Sequence, residues 1–501
     1  MDRPLEPHHI GRLMAPGQPR TYRLGWYDNG DRLDLAVVVN RLVACGRAVS
    51  RLDENAAGAE AGDYLAALPD ALAQALRSHG FKLIAWEAAE PTASRPVAPV
   101  GLAVLSGRAS AYPYYGYYAL TLARLGLSYR PVSGGDIAQG ALDGENLLVL
   151  PGGFSNWSLD AKEETVGADE AVRAFFSDGG AAVVSCGGAF YLAKGRSNWL
   201  GLADVRPRIT QDYLRTGVGV TTCRIADGPL RLGLPPTLEI PYFHGPVFDE
   251  MGANCTALAQ FRDLNASGGL FIDNPLTPET FAAHMQGQVA ALRTDGPRGR
   301  AILFSPHPEM GDLLVKYMAL EGYVPRYLPI RGALVMQETM DAYRPAESRS
   351  FLLVLNAVEA MAQGARPIAA HASAPERALA QSALAHLEAW IAAWQRRAGE
   401  LEPSDGGLGD LERRLLSGFA ARLPHAADAL RRLLPMVVGA RHDGPRLAAS
   451  FSALAGDAVT AWAAPARRRP AELLLELELA LLLVEAWRTV CEIHRLVEMH
   501  D

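Results

Sequence analysis

The stretch A-A-V-V-S-C-G-G-A (181–189) places one cysteine after a run of small and β-branched residues and before three more small ones. Cys186 therefore ends what reads as a buried strand, and Gly187, Gly188 and Ala189 let a helix start at once. This is the composition of a nucleophile elbow, a strained turn that lifts one side chain above a sheet. A thiol needs a base, or a paired imidazolium, to act as thiolate near neutral pH. The segment S-P-H-P-E (305–309) offers His307 for that role. Glu309, two residues on, can fix the tautomer of His307, because residues i and i+2 of an extended segment point the same way. P-G-G (151–153) completes the set. Backbone N–H groups of Gly153 and Gly187 could form an oxyanion hole, since glycine lets the main chain approach a tetrahedral intermediate closely. The bland readings are a buried structural thiol and a turn histidine between prolines. The order of the three motifs, each after an apolar run, favours the catalytic reading. Gly152, Tyr114, Tyr242 and His244 are candidate substrate-binding residues, although Tyr in a strand commonly serves the core. The Tyr-rich stretch 112–118 reads equally well as a substrate-facing lid and as aromatic packing.

The elements that must position these groups follow from apolar spacing. G-L-A-V-L-S-G (101–107), L-S-Y-R-P-V (127–132), L-L-V-L (147–150), 181–185 and A-I-L-F (301–304) read as strands, with helices over 117–125 and about 168–178. This β-loop-α-β-β-α-β-Cys-α order implies a mostly parallel sheet with helices on both faces. Ligands bind such sheets at the carboxyl ends of the strands, where Gly107, Gly153 and Cys186 would share one rim. Residues 201–300 are more β-like, and 312–321 and 348–363 read as helices. Ahead of this lies a small α/β region, 1–95, with an irregular Pro- and His-rich lead-in over 1–20. It carries a strand over 21–26, a strand or helix around 34–45, a helix over 63–79, a strand over 81–86 and a linker over 88–99. The central domain spans 100–365. After it, 375–501 reads as an all-α helical module, with helices over 376–398, 410–422, 425–438, 446–464 and 470–499 around a Gly-rich break at 403–409.

Composition excludes several classes. With 501 residues the chain can bury a large core in more than one domain. A formal net charge of -7 gives no electrostatic reason for nucleic acid or an anionic membrane as partner. The five cysteines (Cys45, Cys186, Cys223, Cys255, Cys491) lack C-x-x-C spacing, which fits a reducing, cytoplasmic compartment and neither a disulfide framework nor a zinc site. The run from Leu473 to Trp487 contains Glu476, Glu478 and Glu485, so it is not read as a membrane span. Cys491, His494, Glu498 and His500 read as a fraying, polar helix end rather than a metal site, and no cofactor is expected.

With these motifs in view, the chain resembles the class I glutamine amidotransferase-like superfamily. That resemblance implies a flavodoxin-like sheet and a Cys-His-Glu triad at Cys186, His307 and Glu309. The branch it resembles most is the domain found at the N-terminus of biotin–protein ligases. C-G-G-A-F-Y (186–191), Y-F-H-G-P-V-F (242–248), H-P-E (307–309) and, loosely, S-G-R-A (106–109) carry the likeness over about 101–310. Glutamine-hydrolysing members usually carry Gln where Phe190 stands. No G-x-x-x-x-G-K-[ST] phosphate loop and no biotin-ligase motif is present. The expected function is a cysteine-dependent hydrolase or acyl transferase acting on a small-molecule or peptide amide through an acyl-thioester on Cys186. One alternative is a non-catalytic ligand-binding or scaffold protein on the same fold, with a protein partner docked on the helical module. A second is a glutaminase subunit serving a separate synthase chain.

Overall fold

Arg20–Leu24 (β1), Val49–Leu52 (β2), Tyr64–Leu68 (β3), Ile84–Ala85 (β4) and Ser94–Pro96 (β5) form an antiparallel sheet in the order β4-β1-β3-β2-β5. Asp34–Ala44 (α1) and Asp70–Ser78 (α2) accompany it. The structure, a computed structural model, describes residues 19–30, 33–87, 93–110, 112–153, 158–208, 217–267, 276–296, 299–313, 348–368, 373–401, 408–464 and 470–500. The helix expected over 63–79 is two elements. Tyr64, Ala66 and Leu68 are buried while Leu65 and Ala67 between them are half-buried, which is the period of a strand. Pro69 then ends the strand and Asp70 opens the helix. Ser94–Pro96 lies in the expected linker, yet it pairs with β2 as an edge strand. The expected strand over 81–86 shortens to Ile84–Ala85. Most of the expected lead-in, residues 88–92 of the linker and most of the helix expected over 312–321 lie outside the described residues.

The central sheet begins with Leu102–Leu105 (β6), followed by Tyr114–Arg124 (α3), Tyr129–Val132 (β7), Gly134–Ala138 (α4) and Leu147–Leu150 (β8). Leu159–Glu163 (α5), Ala168–Ser177 (α6), Ala181–Ser185 (β9) and Gly187–Leu192 (α7) come next. Then follow Val205–Pro207 (β10), Val218–Ile225 (β11), Thr237–Phe243 (β12), Phe248–Met251 (β13), Cys255–Ser267 (β14), Pro278–His284 (α8), Val289–Gly296 (β15), Gly299–Phe304 (β16) and Ser350–Ala362 (α9). Strands β16-β9-β8-β6-β7 pair in parallel. Beyond β16 the same sheet continues antiparallel through β15, β14, β11 and β12. The parallel strands are continuous apolar runs because both faces are covered. Leu102, Val104, Leu147, Val149, Ala181 and Val183 face one core, shared with α3 and α9. Their neighbours Ala103, Leu105, Leu148, Leu150, Ala182 and Val184 face a second core with Phe175 and Leu192.

Ala374–Gln381 (α10), Ala383–Gly399 (α11), Leu408–Val438 (α12), Gly444–Ala463 (α13) and Pro470–Glu498 (α14) make the helical region. The two helices expected over 410–422 and 425–438 are one, with Pro424 and Pro435 inside it. Trp390, Phe451 and Trp487 pack in series, with ring centroids 5.9 and 6.0 Å apart. This region covers the β7 edge of the sheet. Tyr129 N–H donates to Ser450 Oγ at 2.9 Å, so an edge-strand donor is satisfied by a helix side chain. No helix among the described residues is long and apolar enough to cross a membrane. The end of α14 is not the polar, fraying end expected. Cys491 and His494 are buried against α1, and His494 Nδ1 lies 4.0 Å from Cys45 Sγ. Burial pushes the Cys491 thiol up to about 12. Burial, and then Arg41, pulls His494 down to about 4. Among the described residues no His/Cys/Asp/Glu group could hold a metal.

Candidate active site

Cys186 is a non-glycine residue with φ 47° and ψ -107°, directly after β9 and directly before α7. Such a backbone costs on the order of 1–3 kcal/mol and persists only where its surroundings enforce it. Here the enforcing contacts are visible. The Cys186 N–H donates to Phe304 O at 3.0 Å, and Phe190 N–H donates to Cys186 O at 3.0 Å. Gly188 lets α7 lie directly on β8, because a Cβ there would stand 2.3 Å from Leu150 O.

The H-P-E loop comes to the same rim. His307 N–H donates to Pro241 O at 2.8 Å, Thr121 Oγ1 donates to Glu309 O at 3.0 Å, and Ser350 Oγ donates to Pro308 O at 2.7 Å. Three elements, β12, α3 and α9, thus clamp its backbone. His307 and Glu309 are 3 % and 2 % exposed, so their charges are screened little by water. His307 Nδ1 faces Glu309 Oε1 at 2.7 Å. Its Nε2 lies 3.2 Å from the carbonyl oxygen of Phe243, which also accepts from Cys186 Sγ at 3.4 Å. A carbonyl has two lone pairs, so this one can take the proton's hydrogen bond from either side. Burial by itself lowers the His307 pKa. The Glu309 carboxylate and the Cys186 sulfur outweigh it and hold the imidazole well above its ordinary value. A ring with an acceptor at each nitrogen is suited to the imidazolium form.

Gly152 belongs to this cluster. A Cβ on it would stand 3.1 Å from His307 Cε1 and 3.5 Å from Cys186 Sγ. Gly153 has φ 113°, a conformation that suits glycine, and packs beside Ala109 O of the loop after β6. His244 is a neighbour of the site. Its Nδ1 accepts from Gly217 N–H at 3.1 Å, and burial followed by the His307 charge lowers its pKa. Tyr242 is fully buried, donates to Gly245 O at 2.7 Å and packs edge-on against Phe261, so it is a core residue. Tyr114 is 55 % exposed on the first turn of α3. Two more tyrosines of the Tyr-rich stretch serve packing: Tyr112 stacks edge-on with Trp462, and Tyr115 donates to Asp457 Oδ2 at 2.8 Å. Phe190 lies in the second core with its ring 5.4 Å from that of Trp199.

Two groups escaped the sequence reading. Ser185 Oγ donates to Glu309 Oε2 at 3.0 Å, and Tyr118 OH bonds Ser185 Oγ. The available signal was a serine ending an otherwise apolar buried strand.

No protein-family model matches the chain, and no curated protein matches its sequence. Solved structures similar to it include a “putative GMP synthase” subunit from Thermoplasma acidophilum, at 14 % identity over 53 % of this chain and 94 % of that one, TM-score 0.31. A glutamine amidotransferase is similar at 19 % identity over 42 % and 90 %, TM-score 0.30. A β-galactosidase from Bacillus circulans sp. alkalophilus is similar at 11 % identity over 50 % and 32 %, TM-score 0.26. Likenesses this slight say nothing of what the site does.

Proposed function

We propose that the chain is a cysteine-dependent hydrolase or acyl transferase that cleaves an amide bond, a reading its motif resemblance to the biotin–protein ligase N-terminal-like branch supports. The observation that carries this is the strained elbow at Cys186 set beside a buried His307–Glu309 pair. The Cys186 proton passes first to His307 Nε2, and the resulting thiolate attacks the amide carbonyl carbon. Glu309 holds Nδ1–H and stabilises the imidazolium, while Gly153 and Gly187 N–H groups hold the oxyanion. The tetrahedral intermediate collapses as His307 gives its proton to the departing amine, leaving an acyl-thioester. Water or an acceptor amine, deprotonated by His307, attacks that thioester and returns Cys186 to the thiol. No step draws on a cofactor or metal. The five free thiols suit a reducing, cytoplasmic setting.

The test is trapping with a chloroacetamide at pH 7, read by mass spectrometry of the digested protein. Cys223 is pushed up to about 12 by burial. Cys491 is likewise pushed up to about 12, and burial also raises Cys255. Cys45 is buried as well, so the adduct is expected on Cys186, and Cys186→Ala removes it. A wild-type protein that reacts at its other thiols and not at Cys186 overturns the mechanism. Ammonia release from added glutamine separates a glutaminase from a hydrolase of other amides.

A further inference from the structure

Behind Glu309 runs a buried chain of hydroxyls. Glu309 Oε1 faces His307 Nδ1 at 2.7 Å, and Oε2 accepts from Ser185 Oγ at 3.0 Å. Ser185 has one proton, and Glu309 takes it. The bond between Ser185 Oγ and Tyr118 OH must then be donated by Tyr118. Ser185 and Tyr118 are both fully buried, so no water competes for these donors. Burial, and next the Glu309 charge, hold the Tyr118 phenol well above its ordinary value, which keeps it a donor throughout the working pH range.

We propose that Tyr118 and Ser185 are positioning residues, in series, that hold the Glu309 carboxylate in place and aimed at His307. The inference rests on the reading of Cys186, His307 and Glu309 as a thiol-activating set. Its physical content is a matter of donors. A carboxylate out of water needs its lone pairs satisfied, and hydrogen bonds to the charged form favour that form. If Ser185 withdraws, Glu309 is a poorer counter-charge, the imidazolium is less stable, and less thiolate exists at low pH. The titratable groups that face this carboxylate are His307 and Tyr118, with Cys186 and His244 acting through His307. The hydrogen-bond path from Tyr118 to Glu309 runs through Ser185, so Tyr118 donates to the triad at one remove.

The experiment measures the rate of Cys186 carboxamidomethylation by iodoacetamide from pH 5.5 to 9 in the full chain. Wild type, Tyr118→Phe, Ser185→Ala and the double variant are compared, each with a thermal melt. Ser185→Ala is expected to move the profile toward higher pH, by about one pK unit, which cuts the rate by up to about tenfold at pH values below the wild-type midpoint and keeps the plateau at pH 9. Tyr118→Phe moves it the same way by less. The double variant matches Ser185→Ala alone, because the two act in series. A purely structural role would lower the melting temperature and leave the profile's midpoint in place. Unmoved midpoints in both single variants, with a low-pH midpoint in wild type, overturn this proposal and spare the mechanism. A wild-type profile like that of an ordinary thiol removes both.

Discussion

The α-carbon of Gly152 carries no side chain, and this is what lets the thiol and the imidazole face each other. A methyl there would sit 3.1 Å from His307 Cε1 and 3.3 Å from Cys186 Cβ. Neither neighbour can yield easily. His307 is tied to Glu309 at Nδ1 and Cys186 is fixed by the elbow. Gly152→Ala is therefore expected to cost no more than about 1–3 kcal/mol of stability, as overpacking of one methyl does. Its effect on the site should be larger than on the fold: at least tenfold slower labelling of Cys186 at pH 7, measured beside the urea midpoint. Labelling at the wild-type rate would mean that the ring and the sulfur are not held at this spacing. At this scale the sequence was informative about residue types. Cys186, His307, Glu309 and Gly152 come together as their motifs implied, because each motif ends a strand of one parallel sheet. Tyr242 was misplaced because the alternation of a strand gives two faces, and nothing in Y-F-H-G says which one is the core.

The element that positions the thiol is the β9–α7 turn, and its geometry depends on how closely α7 lies on β8. Gly188 sets that distance. Its missing Cβ would meet Leu150 O at 2.3 Å and Leu150 Cβ at 2.7 Å, both parts of a buried strand. Since backbone cannot rotate out of the way, Gly188→Ala must push α7 off the sheet and swing Cys186 with it. The expected outcome is a drop in melting temperature together with loss of Cys186 labelling. A variant that melts like wild type while labelling normally would show that α7 has slack. The parallel core was readable in outline, since L-A-V-L, L-L-V-L and A-A-V-V each have the continuous apolar character of strands buried on both faces. The mixed region was harder. Residues 63–79 satisfy a helical period across a strand and a helix because Pro69, the punctuation between them, also fits a helix start. Ser94–Pro96 read as linker because a three-residue edge strand leaves almost no periodic signal.

At the scale of the whole molecule, the N-terminal sheet and the helical region both bear on the layer that backs the site. Tyr115 of α3 donates to Asp457 of α13, and Gly116 packs against Leu479 of α14. The helix that carries Tyr118 and Thr121 is therefore held from behind by the C-terminal helices. The N-terminal sheet is tied in by one buried cation. Arg51, fully buried on β2, pairs through Nη1 with Glu359 Oε2 of α9 at 2.6 Å and donates to Leu232 O at 3.2 Å. Tyr64 OH donates to the other oxygen, Glu359 Oε1, at 2.7 Å, and Asn356 Oδ1 accepts from Arg51 at 2.7 Å. None of this was legible in the sequence, because partners about three hundred positions apart leave no local pattern. Breaking a buried pair by removing one member costs about 3–5 kcal/mol, whereas replacing both by apolar groups can be nearly neutral. Arg51→Met should thus unfold at markedly lower urea than wild type, and Arg51→Met with Glu359→Leu should recover much of the loss. The same α9 that carries Glu359 also holds the H-P-E loop, through Ser350 Oγ on Pro308 O. Cys186 labelling in Arg51→Met should consequently fall with stability and return in the double variant. If the single and double variants unfold at the same urea concentration, Arg51 holds the sheet by its contacts with Gly62 and Leu232 carbonyls and not by its charge.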